Sequence, residues 1–243
     1  MCNERFFSTL VPFRANPAPK MPDMKTLDIK ICGLKTDEAL AAALSGGASH
    51  VGFIFFPKSP RNVAPAEAGG LRQAARGRAK AVAVTVDADD ALLDAIVAAM
   101  APDMLQLHGN ESPARVAAVR ARYRLPVMKA LPVRAAADLE AARAYRGVAD
   151  RLLFDAKPPK GAELPGGNGV SFDWRLLDGL DGDVDYILSG GLGPANIGEA
   201  LLLARPSGID VSSGVESAPG VKDPALIADF FRAVAAARSK DAA

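Results

Sequence analysis

Residues 185–216, DYILSGGLGPANIGEALLLARPSGIDVSSGVE, hold one complete folding unit and the start of the next. Asp185 to Leu188 is a short aliphatic run that Ser189-Gly190-Gly191 breaks. Pro194 then opens ANIGEALLLA, whose apolar residues recur at helical spacing until Arg205-Pro206 stops them. Gly208 to Val211 is a second run, broken in turn by Ser212-Ser213-Gly214. Strand, glycine-bearing exit, helix and strand at this spacing make a parallel crossover.

The same unit recurs upstream. Further strands are expected at Asp28 to Cys32, His50 to Phe56, Lys80 to Val86, Asp103 to Leu107, Pro126 to Ala130 and Asp150 to Phe154. DEALAAALSGG stops at Gly46-Gly47, PAEAGGLRQAARG opens at Pro65, and Asp89 to Met100 carries one apolar stripe. Ser112-Pro113 and Asp223-Pro224 each cap a helix. Eight strands and eight helices in strict alternation fit a closed (β/α)8 TIM barrel or a large doubly wound sheet. The even units favour the barrel, an α/β single domain with an all-parallel eight-stranded sheet over residues 25–243. Residues 1–24, with Pro12, Pro17, Pro19 and Pro22, read as a disordered or non-native leader.

Composition narrows the function. The net charge of +1 argues against a nucleic-acid-binding stripe, and no apolar run is long enough to cross a membrane as a helix. Two cysteines, Cys2 and Cys32, make no disulfide framework. His50 and His108 lie too far apart for a structural metal cluster, so no metal is expected. The chain is rich in alanine and poor in aromatics, which implies a core of small aliphatic residues.

In a barrel, chemistry gathers where strands end. The seventh and eighth exits pair glycines with hydroxyls, Gly190 and Gly191 at one and Ser212, Ser213 and Gly214 at the other. Backbone N–H groups there would bind phosphate. Cys32 ends the first strand, where it is either a buried core thiol or a base. Asp155 ends the sixth, capping the next segment or pointing into the mouth. Together they would form an acid–base pair. Arg61, in FFPKSPRNV, would bind a carboxylate or phosphate, or else decorate a solvated turn. His108 is a substrate contact or a rim histidine. Asp210, within the eighth strand, points inward and requires a partner.

KICGLK, GFIFFPKSPR, LQLHGNE, FDAK, the glycine-rich segment with FDW, LSGGLGPANI and DVSSGVESAPGVKD together resemble the phosphoribosylanthranilate isomerases of tryptophan biosynthesis, from about Ile29 onward. The resemblance implies a (β/α)8 barrel and a cofactor-free Amadori rearrangement, with Cys32 as general base and Asp155 as general acid. It places Arg61 on the anthranilate side, and phosphate on Gly190, Gly191, Ser212, Ser213 and Gly214. His108 and Asp210 are further substrate-binding candidates. The expected partner is a small-molecule phosphosugar, with neither nucleic acid nor membrane, in a cytoplasmic monomer or homodimer. The histidine-pathway isomerases are rivals, but they resemble this chain less because they place an aspartate where Cys32 stands. An indole-forming synthase would need further Lys and Glu residues. A barrel that only binds a phosphorylated ligand would not need the Cys32 and Asp155 pair.

Overall fold

The computed structural model describes residues 27–162, 164–180 and 184–241; the proposed leader lies outside them. Eight parallel strands run in chain order: β1 (Asp28–Cys32), β2 (His50–Phe55), β3 (Lys80–Thr85), β4 (Met104–Leu107), β5 (Val127–Val133), β6 (Arg151–Ala156), β7 (Tyr186–Leu188) and β8 (Gly208–Val211). β8 pairs back onto β1 with Asp210 opposite Lys30, so the sheet closes into a barrel.

Around it stand α1 (Asp37–Gly46), α2 (Pro65–Ala75), α3 (Asp90–Met100), α4 (Pro113–Tyr123), α5 (Glu140–Arg143), α6 (Ile197–Ala204) and α7 (Pro224–Asp241). Their starts follow local chemistry. Thr36, Asp89 and Ser112 each accept a hydrogen bond from the first turn of the following helix. Gly47, at φ 94°, ends α1 in the left-handed region.

The expected alternation fails at one unit. Between β6 and β7 the described residues hold only a 3₁₀ turn, Trp174–Gly179, in place of an eighth α-helix. Pro158, Pro159, Pro165 and the glycines at 161, 166, 167 and 169 deny that connection both amide donors and helical propensity. α5 is likewise cut to four residues behind a 3₁₀ turn. An antiparallel ribbon, β9 (Glu216–Ala218) and β10 (Val221–Lys222), follows the eighth exit.

Alternation along the strands separates two cores. Val82, Val84, Met104, Met128, Leu153 and Ile187 pack together inside the barrel. Phe53, Leu93, Ile96, Phe154 and Phe230 belong to the larger core between sheet and helices. Ala39, Ala43, Ala68 and Ala75 are buried there, so small side chains let the helices lie close to the sheet.

The barrel floor is polar. Arg151 of β6 donates to Asp28 of β1 at 2.5 Å and to Ser207 at 2.7 Å. His50, 1% exposed, shares this layer, with Ser49 Oγ 2.8 Å from its Nδ1 and Asp28 at 3.7 Å. Burial pushes its pKa down to about 4; Asp28 pulls the other way, while Lys80, Arg151 and Lys30 reinforce the fall. The folded chain therefore refuses a proton that the unfolded chain accepts near the ordinary histidine value. Stability held above that value is lost as pH falls towards 4, by at most roughly 3 kcal/mol. His50→Gln should flatten the pH dependence of the urea midpoint across this window. An unchanged slope would place the acid sensitivity elsewhere.

Candidate active site

Nine of the ten residues singled out from sequence line one cavity at the C-terminal end of the strands, with a volume of about 720 Å³ counted to its open mouth. The tenth, Gly214, sits just behind it, where a methyl group would overlap the Leu192 carbonyl oxygen. Cys32 from β1 and Asp155 from β6 thus face one space from strands three apart in the ring.

Cys32 is 5% exposed, and its neighbours are charged. Lys30, two residues earlier on the same inward face, is fully buried and donates to Asp210 Oδ1 at 3.0 Å. Burial pushes the Cys32 thiol up, Lys30 opposes that rise, and Asp210 adds to it. Asp210, expected to need a partner, has found it in Lys30.

Asp155 lies inside β6, not beyond its end, because the strand runs to Ala156. Its Oδ1 accepts from the Ala156 N–H at 2.9 Å, and its Oδ2 lies 3.1 Å from His108 Nε2. The Gln106 amide nitrogen is 2.9 Å from His108 Nδ1. An amide nitrogen only donates, so Nδ1 accepts, and the neutral ring carries its proton on Nε2, directed at Asp155. His108 is therefore tied to Asp155, with buried Gln106 bracing its other ring nitrogen. The β6–β7 connection closes over this pair. A methyl group on Gly166 would come within 2.5 Å of Asp155 Oδ2 and 2.6 Å of His108 Nε2, so only glycine fits there.

Arg61 reaches the cavity but is neither solvated nor free to clamp a substrate with its full fork. Nε and Nη2 hold Glu216 at 2.7 and 2.8 Å, and Nη2 also meets the Gly167 carbonyl. The second base of this network is Lys222 on β10, which donates to Glu216 and to the Ser212 carbonyl and hydroxyl. Burial raises the Glu216 pKa, but the Arg61 hydrogen bond and the Lys222 charge outweigh it, leaving the carboxyl below its ordinary value.

At the seventh exit Gly190 and Gly191 take φ of 93° and 62°. Asn196 braces the turn by donating to the Gly191 carbonyl and accepting from Gly193 N–H. At the eighth, Ser212 Oγ donates to the Cys32 carbonyl at 3.1 Å, joining this loop to the end of β1. The two turns stand side by side at the cavity wall, as an anion cradle requires.

Residues 29–233 match the family model described as N-(5'-phosphoribosyl)anthranilate isomerase. The chain belongs to that family. It is 76% identical over 217 residues to N-(5'-phosphoribosyl)anthranilate isomerase of Mesorhizobium japonicum, covering 89% of this chain and 99% of that protein. It is similar to the crystal structure of phosphoribosyl anthranilate isomerase from Thermotoga maritima, at 34% identity and a TM-score of 0.77, covering 86% of this chain and 99% of that one. A solved phosphoribosyl anthranilate isomerase in complex with reduced 1-(o-carboxyphenylamino)-1-deoxyribulose 5-phosphate aligns at 32% identity and a TM-score of 0.74, over 86% and 99% of the two chains.

In this phosphoribosylanthranilate isomerase fold, sequence reasoning missed the residues that hold others in place. Gln106 is one, and Glu216 and Lys222 are two more. Lys129, 1% exposed, is another: it donates to the carbonyls of Leu107 and Gly109 and to Glu111, whose other oxygen accepts from Asp87 and Gly109 N–H. That knot fixes the third and fourth exits, and His108 between them.

Proposed function

We infer that this chain converts N-(5-phosphoribosyl)anthranilate to 1-(o-carboxyphenylamino)-1-deoxyribulose 5-phosphate by a cofactor-free Amadori rearrangement. The observation that carries the reading is one cavity holding a thiol, a carboxyl group and two glycine-bearing turns. Asp155 protonates the furanose ring oxygen; the C1–O bond breaks with its electron pair going to oxygen, and the anilino nitrogen lone pair forms the C1=N bond. The Cys32 thiolate then removes the C2 proton, and the C2–H electrons neutralise the iminium as an enolamine. Loss of the C2 hydroxyl proton and gain of one at C1 give the ketone. The phosphate rests on backbone N–H groups of Gly191, Ser213 and Gly214, which cost little to organise because the turns already hold them.

His108, held by Gln106, steadies the carboxylate that Asp155 becomes after giving up its proton. Arg61 presents Nη1 to the anthranilate carboxylate while Glu216 keeps its other two nitrogens. Arg61→Lys should then fail twice. An ammonium has no fork for Glu216, and leaving that buried carboxylate short of a donor costs roughly 1–3 kcal/mol. We expect a lower melting temperature together with a raised KM. Wild-type values of both would return Arg61 to the turn.

The decisive assay follows the fluorescence decay of freshly prepared phosphoribosylanthranilate after addition of purified protein. No acceleration over the spontaneous decay overturns the proposed reaction.

A further inference from the structure

We propose that Lys30 is a positioning residue for the base: its ammonium, anchored on Asp210 and crowded against Cys32 over Gly52, favours the thiolate form of that side chain. The inference rests on the reading of Cys32 as base, and its first test does not use catalysis.

Three observations carry it. Lys30 and Cys32 sit two apart on β1 and so point to one face. β2 leaves a space beside them at Gly52, where an added methyl carbon would lie 3.0 Å from Cys32 Sγ and 3.0 Å from Lys30 Nζ. The sulfur and the ammonium are therefore within twice that distance of each other, with no side chain from Gly52 between them. Lastly, Lys30 is wholly buried, and a buried ammonium stays charged only when paired; Asp210 at 3.0 Å supplies the pairing across the β1–β8 contact.

Filling alone does not account for this residue. A methionine would occupy the same volume without the desolvation that an ion pair costs. What the charge adds is a positive centre at the Cys32 thiol. The charged groups acting on that thiol are Lys30 from β1, Asp210 from β8 and, more weakly, Lys222 from β10; β2 sets uncharged Gly52 opposite Cys32, and its His50, opposite Lys30, is held neutral by burial. Burial drives the thiol up, and Lys30 is the strongest opposing influence. Asp210 thus has two effects: it keeps Lys30 protonated, and it repels the thiolate. An ammonium held on the carboxylate and close to the sulfur eases that conflict, since its charge offsets that of Asp210 at the thiol.

The test is the rate of Cys32 alkylation by iodoacetamide across neutral and alkaline pH, read at the Cys32 peptide by mass spectrometry so that Cys2 does not contribute. In Lys30→Gln the midpoint should move to higher pH by about one unit or more, which is about tenfold slower alkylation at neutral pH. Lys30→Met combined with Asp210→Leu removes both buried charges together, leaving none uncompensated, and keeps the test alive if the single variant does not fold. It should shift the midpoint the same way, because Lys30 outweighs Asp210 at the sulfur. In Lys30→Gln the acid limb of kcat/KM should move with the alkylation midpoint, while competitive inhibition by inorganic phosphate stays unchanged. A folded variant whose alkylation profile superimposes on wild type overturns the inference. A shifted alkylation midpoint with an unmoved kcat/KM profile supports Lys30 as the group acting on the thiol and overturns Cys32 as the base.

Discussion

Cys32→Ser should lower kcat by about 10²–10⁴-fold with the barrel intact. The substitution keeps the shape and trades a thiol for a hydroxyl that hardly ionises, so no base remains to take the C2 proton. Oxygen is smaller than sulfur, so the tight space over Gly52 accepts it, and Ser212 Oγ still donates to the backbone carbonyl of residue 32. The pH profile carries a second sign. A base works deprotonated, and burial raises the Cys32 thiol, so wild-type kcat/KM should climb as pH rises through that elevated value and fall away below it. In the serine variant this rise should vanish. The measurement is kcat on fresh substrate, beside binding of a phosphorylated product analogue. A loss below about tenfold would assign the proton transfer to another group.

Asp155→Asn should cost a similar factor, by a different route. The amide cannot deliver a proton to the ring oxygen, so opening of the furanose becomes limiting. The local hydrogen bonds are also unforgiving. Asp155 now accepts on both oxygens, from Ala156 N–H and from His108. Asparagine offers only one oxygen, so one of those donors must face its NH₂ group. His108 can relieve this by moving its proton to Nδ1 only if the buried Gln106 amide turns over to accept it. We therefore expect a modest fall in melting temperature alongside the large fall in kcat, with phosphate inhibition unchanged because the glycine turns keep their backbone. Retention of more than about a tenth of wild-type kcat would remove Asp155 from the role of acid.

Much of this was legible from local chemistry. Strand ends are marked by residues that cannot continue a buried strand, and so Cys32-Gly33, His108-Gly109 and Ser189-Gly190 mark the mouth in the sequence itself. Caps such as Ser112-Pro113 are local too. The eighth helix was over-read because regular alternation was extended across a segment whose prolines and glycines forbid it. The ribbon was missed because ESAPGVK offers too few residues for an alternating pattern; the turn residues Pro219-Gly220 were its only signal. Glu216 and its neighbour Lys222 gave no signal because Arg61 lies far along the chain, Lys129 because its partners lie on the preceding exit, and Gln106, though only two residues from His108, because strand alternation does not say which side chains bond. Arg61 and Glu216 are separated by 155 positions. A basic turn residue looks solvated until its acid is found.

The joint between β1 and β8 bears on how this enzyme is made. Lys30 with Asp210, and the Cys32 carbonyl with Ser212 Oγ, are pairs 180 positions apart, and both straddle that joint. On the ribosome β1 emerges early, yet its outer edge finds its mate only after nearly all of the remaining chain has been translated. Until then a lysine destined for the interior has no counter-ion, and the thiol stands without Asp210 and Lys222. The chemistry is thus assembled by the last step of ring closure. Half-barrels and truncated chains that keep Cys32 and Asp155 should fold partly, if at all, and stay inert, which makes turnover itself a reporter of completed biosynthesis.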